Sequence, residues 1–504
     1  MSLAIAYTRA QVGIDAPLVT VEVHLSGGLP SFSIVGLPET AVKESRERVR
    51  SALINSGYDF PQRRITVNLA PADLPKEGGR YDLAIAIGIL AASAQLPVKS
   101  LESVELIGEL ALSGELRRVA GVLPVALACC QVGRGLLLPI ANQQDAALAS
   151  NLDVFPAVHL LDVCAHLKSE RLITAVSSSY TQPCLSSMYP DLSDVKGQLQ
   201  AKRALEIAAA GSHNLLLVGP PGSGKSMLAN RLPGLLPEMT EAECLQVASI
   251  HSIAQSTHGE EPVWARPFRA PHHTASSVAL VGGGGNPKPG EISLAHQGIL
   301  FLDELPEFSR KVLEVLREPI ESGEILISRA ARQSVFPARF QLVAAMNPCP
   351  CGYFADGTER CHCSPDQVRR YQAKVSGPLL DRIDLQLTVQ SLSQKELVGY
   401  SEHTESSAQV RERVAASRER QLARQKLPNQ LLEGKLLEEI CCIDDGDKEM
   451  LVQALEKLQL SARAYHRVLR VSRTIADLAG LEKVERAHLL EALSYRVSAR
   501  KSLR

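Results

Sequence analysis

Short apolar runs punctuated by glycine, proline or charge recur along the chain, and they fall into two periods. Val19–Leu25 and Ile65–Leu69 alternate apolar with polar positions, the period-two pattern of half-buried strands, whereas Thr40–Ser56 and Tyr81–Ala92 carry helical spacing. Leu215–Val218 and Gly298–Leu302 are unbroken apolar runs, which suit parallel strands covered on both faces. In Glu324–Val335 a β-like arm stands on either side of a polar, basic tip, so a hairpin is expected. From Ser391 onward the sequence is helical and highly charged, with an amphipathic helix near Val410–Gln425.

This patterning divides the chain into an α/β-type region 1–165, a Ser- and Thr-rich linker within 166–190 centred on Ser177–Ser187, a nucleotide-binding-type α/β region 191–390, and an all-α region 391–504. No internal repeat is evident. The 504 residues, 45% of them hydrophobic, can supply the cores of about three domains. A formal net charge of −1 excludes a broadly basic nucleic-acid coat, so any such contact must come from local clusters or from repetition in an oligomer. The longest apolar segments, such as Leu83–Ala92, fall short of the ~20 residues needed to span a bilayer, and the first residues lack a secretion signal. A cytoplasmic protein without a membrane segment is expected. Its 11 cysteines, an odd number, favour thiols or metal over a disulfide framework.

The chemistry concentrates in the second α/β region. Gly219-Pro220-Pro221-Gly222-Ser223-Gly224-Lys225-Ser226 follows the run Leu215–Val218 and opens a helical stretch, the strand–loop–helix setting of a phosphate-binding loop. Gly219, Gly222 and Gly224 let backbone N–H groups curl around phosphates, Lys225 can reach the β/γ oxygens, and the Ser226 hydroxyl can hold Mg²⁺. ATP or GTP is the expected ligand. Gly298–Glu304 reads as a buried strand ending in two carboxylates, which should face the phosphates because ligands of open α/β sheets bind at strand C-termini. Asp303 would then hold Mg²⁺ and Glu304 would polarise the attacking water.

Cys349, Cys351, Cys361 and Cys363, with nine residues between the two pairs, sit in a polar loop. They either close a tetrahedral Zn²⁺ site or remain free thiols of a reduced compartment. His272-His273 is expected not to chelate, because adjacent side chains of an extended strand point to opposite faces.

Together, the phosphate loop, Gly298–Glu304, Val343–Pro348 and Gly377–Asp384 resemble the AAA+ ATPases of the branch that holds magnesium-chelatase motor subunits and MCM replicative helicases. Arg266–His273 is similar to the chelatase-like members, and nearly the whole chain resembles the bacterial competence-associated, chelatase-like group described as hexameric branch-migration helicases. The resemblance implies a central AAA+ P-loop α/β domain with a C-terminal all-α lid. It places Asn347 as the sensor that orients water, Arg382 as an arginine finger inserted by a neighbouring subunit, and Arg463 as the sensor of the lid. A structural ion pair of Arg382 with Asp381 or Asp384 stays open, and so does the choice of Arg463 over Arg467 and Arg470 on the same helical face.

Pro75–Asp82 and Gly108–Gly114 look like segments of the Lon-protease fold, which implies an α+β N-terminal domain. In that resemblance Arg80 stands at the nucleophile's place and Leu123 at the lysine's, leaving a scaffold without peptidase chemistry. Likeness to MCM helicases also assigns the hairpin's Arg329 and Arg332, and Lys288 in the loop Gly282–Gly290, to DNA, against the plain reading of exposed surface charges. The expectation is a homohexameric, ATP- and Mg²⁺-dependent motor acting on single-stranded and branched DNA. Its alternative is a chelatase-type motor that remodels a protein partner for metal insertion.

Overall fold

The computed structural model describes residues 3–176, 189–254, 264–284, 287–329, 332–354, 359–391, 404–458 and 461–502, and the stretch Ser177–Ser187 expected as a linker lies outside them. Two compact units are present, Met1–Gln182 with Cys244–Glu261, and Pro183–Glu243 with Pro262–Arg504.

In the first unit β1 (Leu3–Arg9), β2 (Leu18–Ser26), β3 (Ser31–Val35) and β4 (Arg64–Ala70) form a sheet in the order β1-β2-β4-β3, with only the β3–β4 pair parallel. Val19, Val21, Val23 and Leu25 of β2 are buried on one face, as the alternation requires. Against that face lies the helix Asp82–Ala92, whose every residue is buried, so the apolar run Leu83–Ala92 reflects cover on all sides rather than amphipathicity. The remaining strands are β5 (Val104–Leu106), β6 (Glu109–Leu110), β7 (Leu116–Arg117), β8 (Gly135–Pro139) and β9 (Val154–Ala157); β5-β8-β9 is parallel and β6-β7 antiparallel. Glu105 of β5 is buried and held by Arg9 of β1 at 2.7 Å and by Arg134 at 3.5 Å, the pairing a buried charge needs.

Arg80 and Leu123, the positions compared with a protease nucleophile and base, are both buried. Arg80 Nη2 donates to Gln11 Oε1 and to the Ala120 carbonyl, each at 2.7 Å, and Leu123 packs in the helix Val122–Val132. A locked guanidinium and an aliphatic chain supply neither nucleophile nor base.

Strands of the second unit are, in chain order, β10 (Leu215–Val218), β11 (Phe268–Arg269), β12 (Gly282–Gly283), β13 (Lys288–Pro289), β14 (Ile299–Leu302), β15 (Glu324–Arg329), β16 (Arg332–Pro337), β17 (Gln341–Met346) and β18 (Leu385–Thr388). A wholly parallel five-stranded sheet runs β11-β14-β17-β10-β18, and β10, β14 and β17 are buried throughout. The unbroken apolar runs therefore follow from cover on both faces. Among the described residues five α-helices follow: Ser407–Gln425, Gly434–Cys441, Asp445–Lys457, Ala462–Leu478 and Arg486–Ser502. Asp477 ties Ala462–Leu478 to Ser407–Gln425 and to the turn after it, accepting from Arg424 at 2.8 Å and Asn429 at 2.8 Å, and from Arg473 of its own helix at 2.9 Å. Asp384, before β18, accepts from Arg467 at 2.8 Å and from the Asn214 backbone N–H at 3.0 Å. Burial pushes its carboxyl up, but Arg467 and His213 outweigh this and hold it well below the usual carboxylate range.

One consequence is testable by pH. His296 lies buried with Nδ1 accepting the Arg339 backbone N–H at 3.1 Å, and burial, aided by the Arg339 charge, pushes its imidazole down to about 4. The folded value is depressed, so the stabilisation is full above the unfolded value of about 6.5 and is lost as pH falls toward 4. A drop of about 3 kcal/mol across that window is expected in denaturant melts, and a His296→Gln variant should show a shallower decline. Among the described residues no helix is long and apolar enough to cross a membrane.

Candidate active site

Because β10, β14 and β17 run parallel, their C-terminal ends bring three loops to one edge of the sheet. Leaving β10, the chain passes through Gly222 (φ +77°) and Gly224 (φ +89°) before the helix starting at Lys225. Residues with a Cβ are strained in this left-handed region, so the turn that aims the backbone N–H groups inward needs glycine. Lys225 Nζ donates to the carbonyls of Gly219 at 2.8 Å and Pro220 at 2.9 Å, and to Asn347 Oδ1 at 3.3 Å. Burial lowers its pKa, with Asp303 pulling the other way. Ser226 Oγ donates to Asp303 Oδ2 at 2.6 Å, setting a hydroxyl beside a carboxylate, a hard oxygen pair that suits Mg²⁺.

Glu304 occupies the left-handed region at φ +52°, uncommon for a side chain of its kind, and its backbone N–H donates to Asp303 Oδ1 at 2.9 Å. Its carboxylate meets His273 Nδ1 at 3.2 Å. This partner was not anticipated from the sequence. His272 and His273 lie beyond β11, with His273 in a turn rather than in an extended strand, and their rings lie side by side with centroids 4.1 Å apart and planes tilted by 33°, so the opposite-faces expectation does not hold. Asn347 follows β17 directly. The structure thus brings Lys225, Ser226, Asp303, Glu304 and Asn347 together.

Arg382 lies elsewhere. It precedes β18, which pairs with β10 in parallel, Leu385 opposite Leu215, so it stands at the sheet edge opposite its own phosphate loop. Four residues of strand, about 13 Å, separate the two edges. Its Nη2 pairs with Glu321 Oε1 at 2.8 Å and its Nη1 donates to the Pro378 carbonyl at 2.8 Å. The ion pair considered from sequence is real, but with Glu321 instead of Asp381 or Asp384. Arg463 is exposed at the start of the helix Ala462–Leu478, while Arg467 is bound to Asp384 and Arg470 Nε to the Leu432 carbonyl at 2.6 Å. Of the three arginines on that face, only Arg463 points out.

β15 and β16 pair as a hairpin, with Arg329 opposite Arg332. Ala330–Ala331 and the side chains of Arg329 and Arg332 lie outside the described residues. Lys288 is exposed on β13, which pairs with β12. A Cβ on Gly282 of β12 would come within 2.8 Å of Ile327 Cδ1, so the hairpin and the Lys288 loop pack side by side.

After Asn347 the chain turns through a cluster of thiols. Cys349 Sγ lies 3.3 Å from Cys351 Sγ and 3.9 Å from Cys361 Sγ, Cys351 and Cys361 are 3.7 Å apart, and all four sulfurs, Cys363 included, fall within 4.8 Å of one another. Asp356 and Gly357 of the intervening loop lie outside the described residues.

A sheet of this order, with phosphate loop, paired acids and a polar residue on the adjacent strand, defines a P-loop ATPase of the AAA+ type. Comparison with known proteins gives the family. The descriptions "Magnesium chelatase, subunit ChlI", "Subunit ChlI of Mg-chelatase" and "Magnesium chelatase, subunit ChlI C-terminal" match residues 191–397, 21–142 and 404–496. The chain is 54% identical to the competence protein ComM of Haemophilus influenzae, over 99% of this chain and 98% of that one. It is 50% identical to the Escherichia coli protein YifB over 98% and 97%, and 25% identical to the magnesium-chelatase 38 kDa subunit of Rhodobacter capsulatus over 66% and 91%. The chain belongs to the ComM family of magnesium-chelatase-like AAA+ proteins, a family whose site implies ATP and Mg²⁺.

Proposed function

We propose that this chain is an ATPase that assembles as a homohexameric ring and drives branch migration of DNA recombination intermediates. The observation that carries it is the placement of Arg382 at the sheet edge opposite the phosphate loop, which makes it useful to a nucleotide only in a neighbouring subunit. In this reading the loop N–H groups and Lys225 bind the triphosphate, while Ser226 and Asp303 hold Mg²⁺, which supplies charge neutralisation at the phosphate oxygens. Glu304 polarises the water that Asn347 orients, and Arg463 serves as the sensor of the helical lid. The four cysteines hold one Zn²⁺, and the N-terminal unit is a Lon-like scaffold without peptidase activity. Among the described residues the cysteines are unbridged, which fits a reduced cytoplasm.

For DNA, support comes from the packing of the 324–337 hairpin against the Lys288 loop, which would set basic residues of two loops on one surface. The name of the Haemophilus relative, a competence protein, favours a role in natural transformation. Six copies of Arg329 and Arg332 around a channel would concentrate positive charge although the chain carries a net −1. Arg329→Ala is therefore expected to keep basal ATPase and assembly while cutting DNA-stimulated turnover several-fold and flattening the salt dependence of DNA binding. The check is ATPase with and without single-stranded DNA at two salt concentrations. Wild-type stimulation in the variant would shift the contact to Lys288.

A further inference from the structure

The thiol cluster and the nucleotide site share one short piece of chain. Cys349 is two residues from Asn347, whose Oδ1 accepts from Lys225 at 3.3 Å. Cys351 leads into Gly352, which has φ +88° and sits so close to the phosphate loop that a Cβ there would fall 2.5 Å from Pro221 Cδ. The turn is closed by the Gly352 N–H donating to the Cys349 carbonyl at 3.0 Å, and Gln372 Nε2 holds the Pro348 carbonyl at 3.0 Å. A tetrahedral ion with bonds of about 2.3 Å to sulfur spaces its sulfurs about 3.8 Å apart. The separations of 3.3, 3.7 and 3.9 Å among Cys349, Cys351 and Cys361 bracket that value, and they are far longer than a disulfide bond of about 2.05 Å. Four sulfurs gathered within 4.8 Å of one another are the donor set that structural zinc takes.

We propose that this zinc centre is a strut of the nucleotide site: by fixing 349–352 it aims Asn347 at Lys225 and seats Gly352 against Pro221 of the phosphate loop. It rests on the reading of this site as one for ATP, and it makes metal loading a condition for tight nucleotide binding and turnover. Loss of the ion frees the loop at both of its contacts, and misplacement by about 1 Å at a catalytic group can cost a hundredfold in rate.

The experiment uses the full-length protein, purified with thiol reductant, in three forms: as isolated, stripped of metal by a chelator, and refilled with Zn²⁺. Metal content, affinity for a fluorescent ATP analogue, ATP turnover and thermal melting are read on each. About one zinc per chain is expected as isolated. Stripping should weaken nucleotide binding about tenfold and turnover about a hundredfold, with both restored by Zn²⁺. Cys361→Ser with Cys363→Ser should match the stripped protein, whereas Gly352→Val should keep its zinc yet lose nucleotide affinity. Fully active protein isolated without metal would overturn the site. Zinc that can be removed with nucleotide affinity and turnover unchanged would overturn the strut. Affinity reports on the strut even if turnover is absent, so failure of the ATPase reading is seen separately.

Discussion

Lys225→Ala is expected to abolish ATP hydrolysis, and Glu304→Gln to leave nucleotide bound but nearly unhydrolysed. Lys225 is buried between the Gly219 and Pro220 carbonyls and Asn347, so its removal takes away the cation that the phosphate loop itself carries along with the group that spans the loop. Loss of such a charge costs at least about a hundredfold in turnover. Glutamine keeps the size of Glu304 and a hydrogen bond to His273 but removes the carboxylate that polarises water, for a drop of about 10²–10⁴. Steady-state ATPase combined with nucleotide binding separates the two. Equal rates for Glu304→Gln and wild type would remove Glu304 from catalysis.

The second large effect belongs to Arg382. Arg382→Ala leaves Glu321, which is half exposed, without its partner, so the variant should fold and assemble. Hydrolysis should nevertheless fall about 10³-fold, the scale of a missing arginine finger. Mixing it with Lys225→Ala subunits creates interfaces where an intact phosphate loop meets an intact Arg382, and some activity should return. Absence of rescue at every mixing ratio would count against action in trans.

Much of this site could be read along the sequence because its parts depend on local rules. A glycine loop after an apolar run, and acids at the end of another, are set by backbone geometry within a few residues, and the parallel sheet then gathers them. The same holds for β2 and the helix Asp82–Ala92, where period and apolarity decide the element. What stayed hidden depends on which distant residues meet. Arg382 pairs with Glu321, 61 positions away in the chain, because the loop before β18 packs there, and no spacing reveals that. His273 reaches Glu304 since β11 lies beside β14, a neighbour relation fixed by sheet order and not by either segment alone. Treating His272-His273 as strand missed it: β11 ends at Arg269. Gly352 against Pro221 is likewise a contact of two loops, legible only once β17 and β10 are known to be adjacent.

In the proposed function, ATP turnover moves DNA strands. A four-way junction with one labelled arm, incubated with the purified protein and ATP, tests it most directly, alongside a non-hydrolysable analogue and the Lys225→Ala variant. Labelled-strand transfer is expected with ATP alone, none with the analogue and none with the variant. Hydrolysis of ATP without strand movement on this junction, or on forked and three-strand substrates, would contradict it and favour a motor that acts on a protein partner.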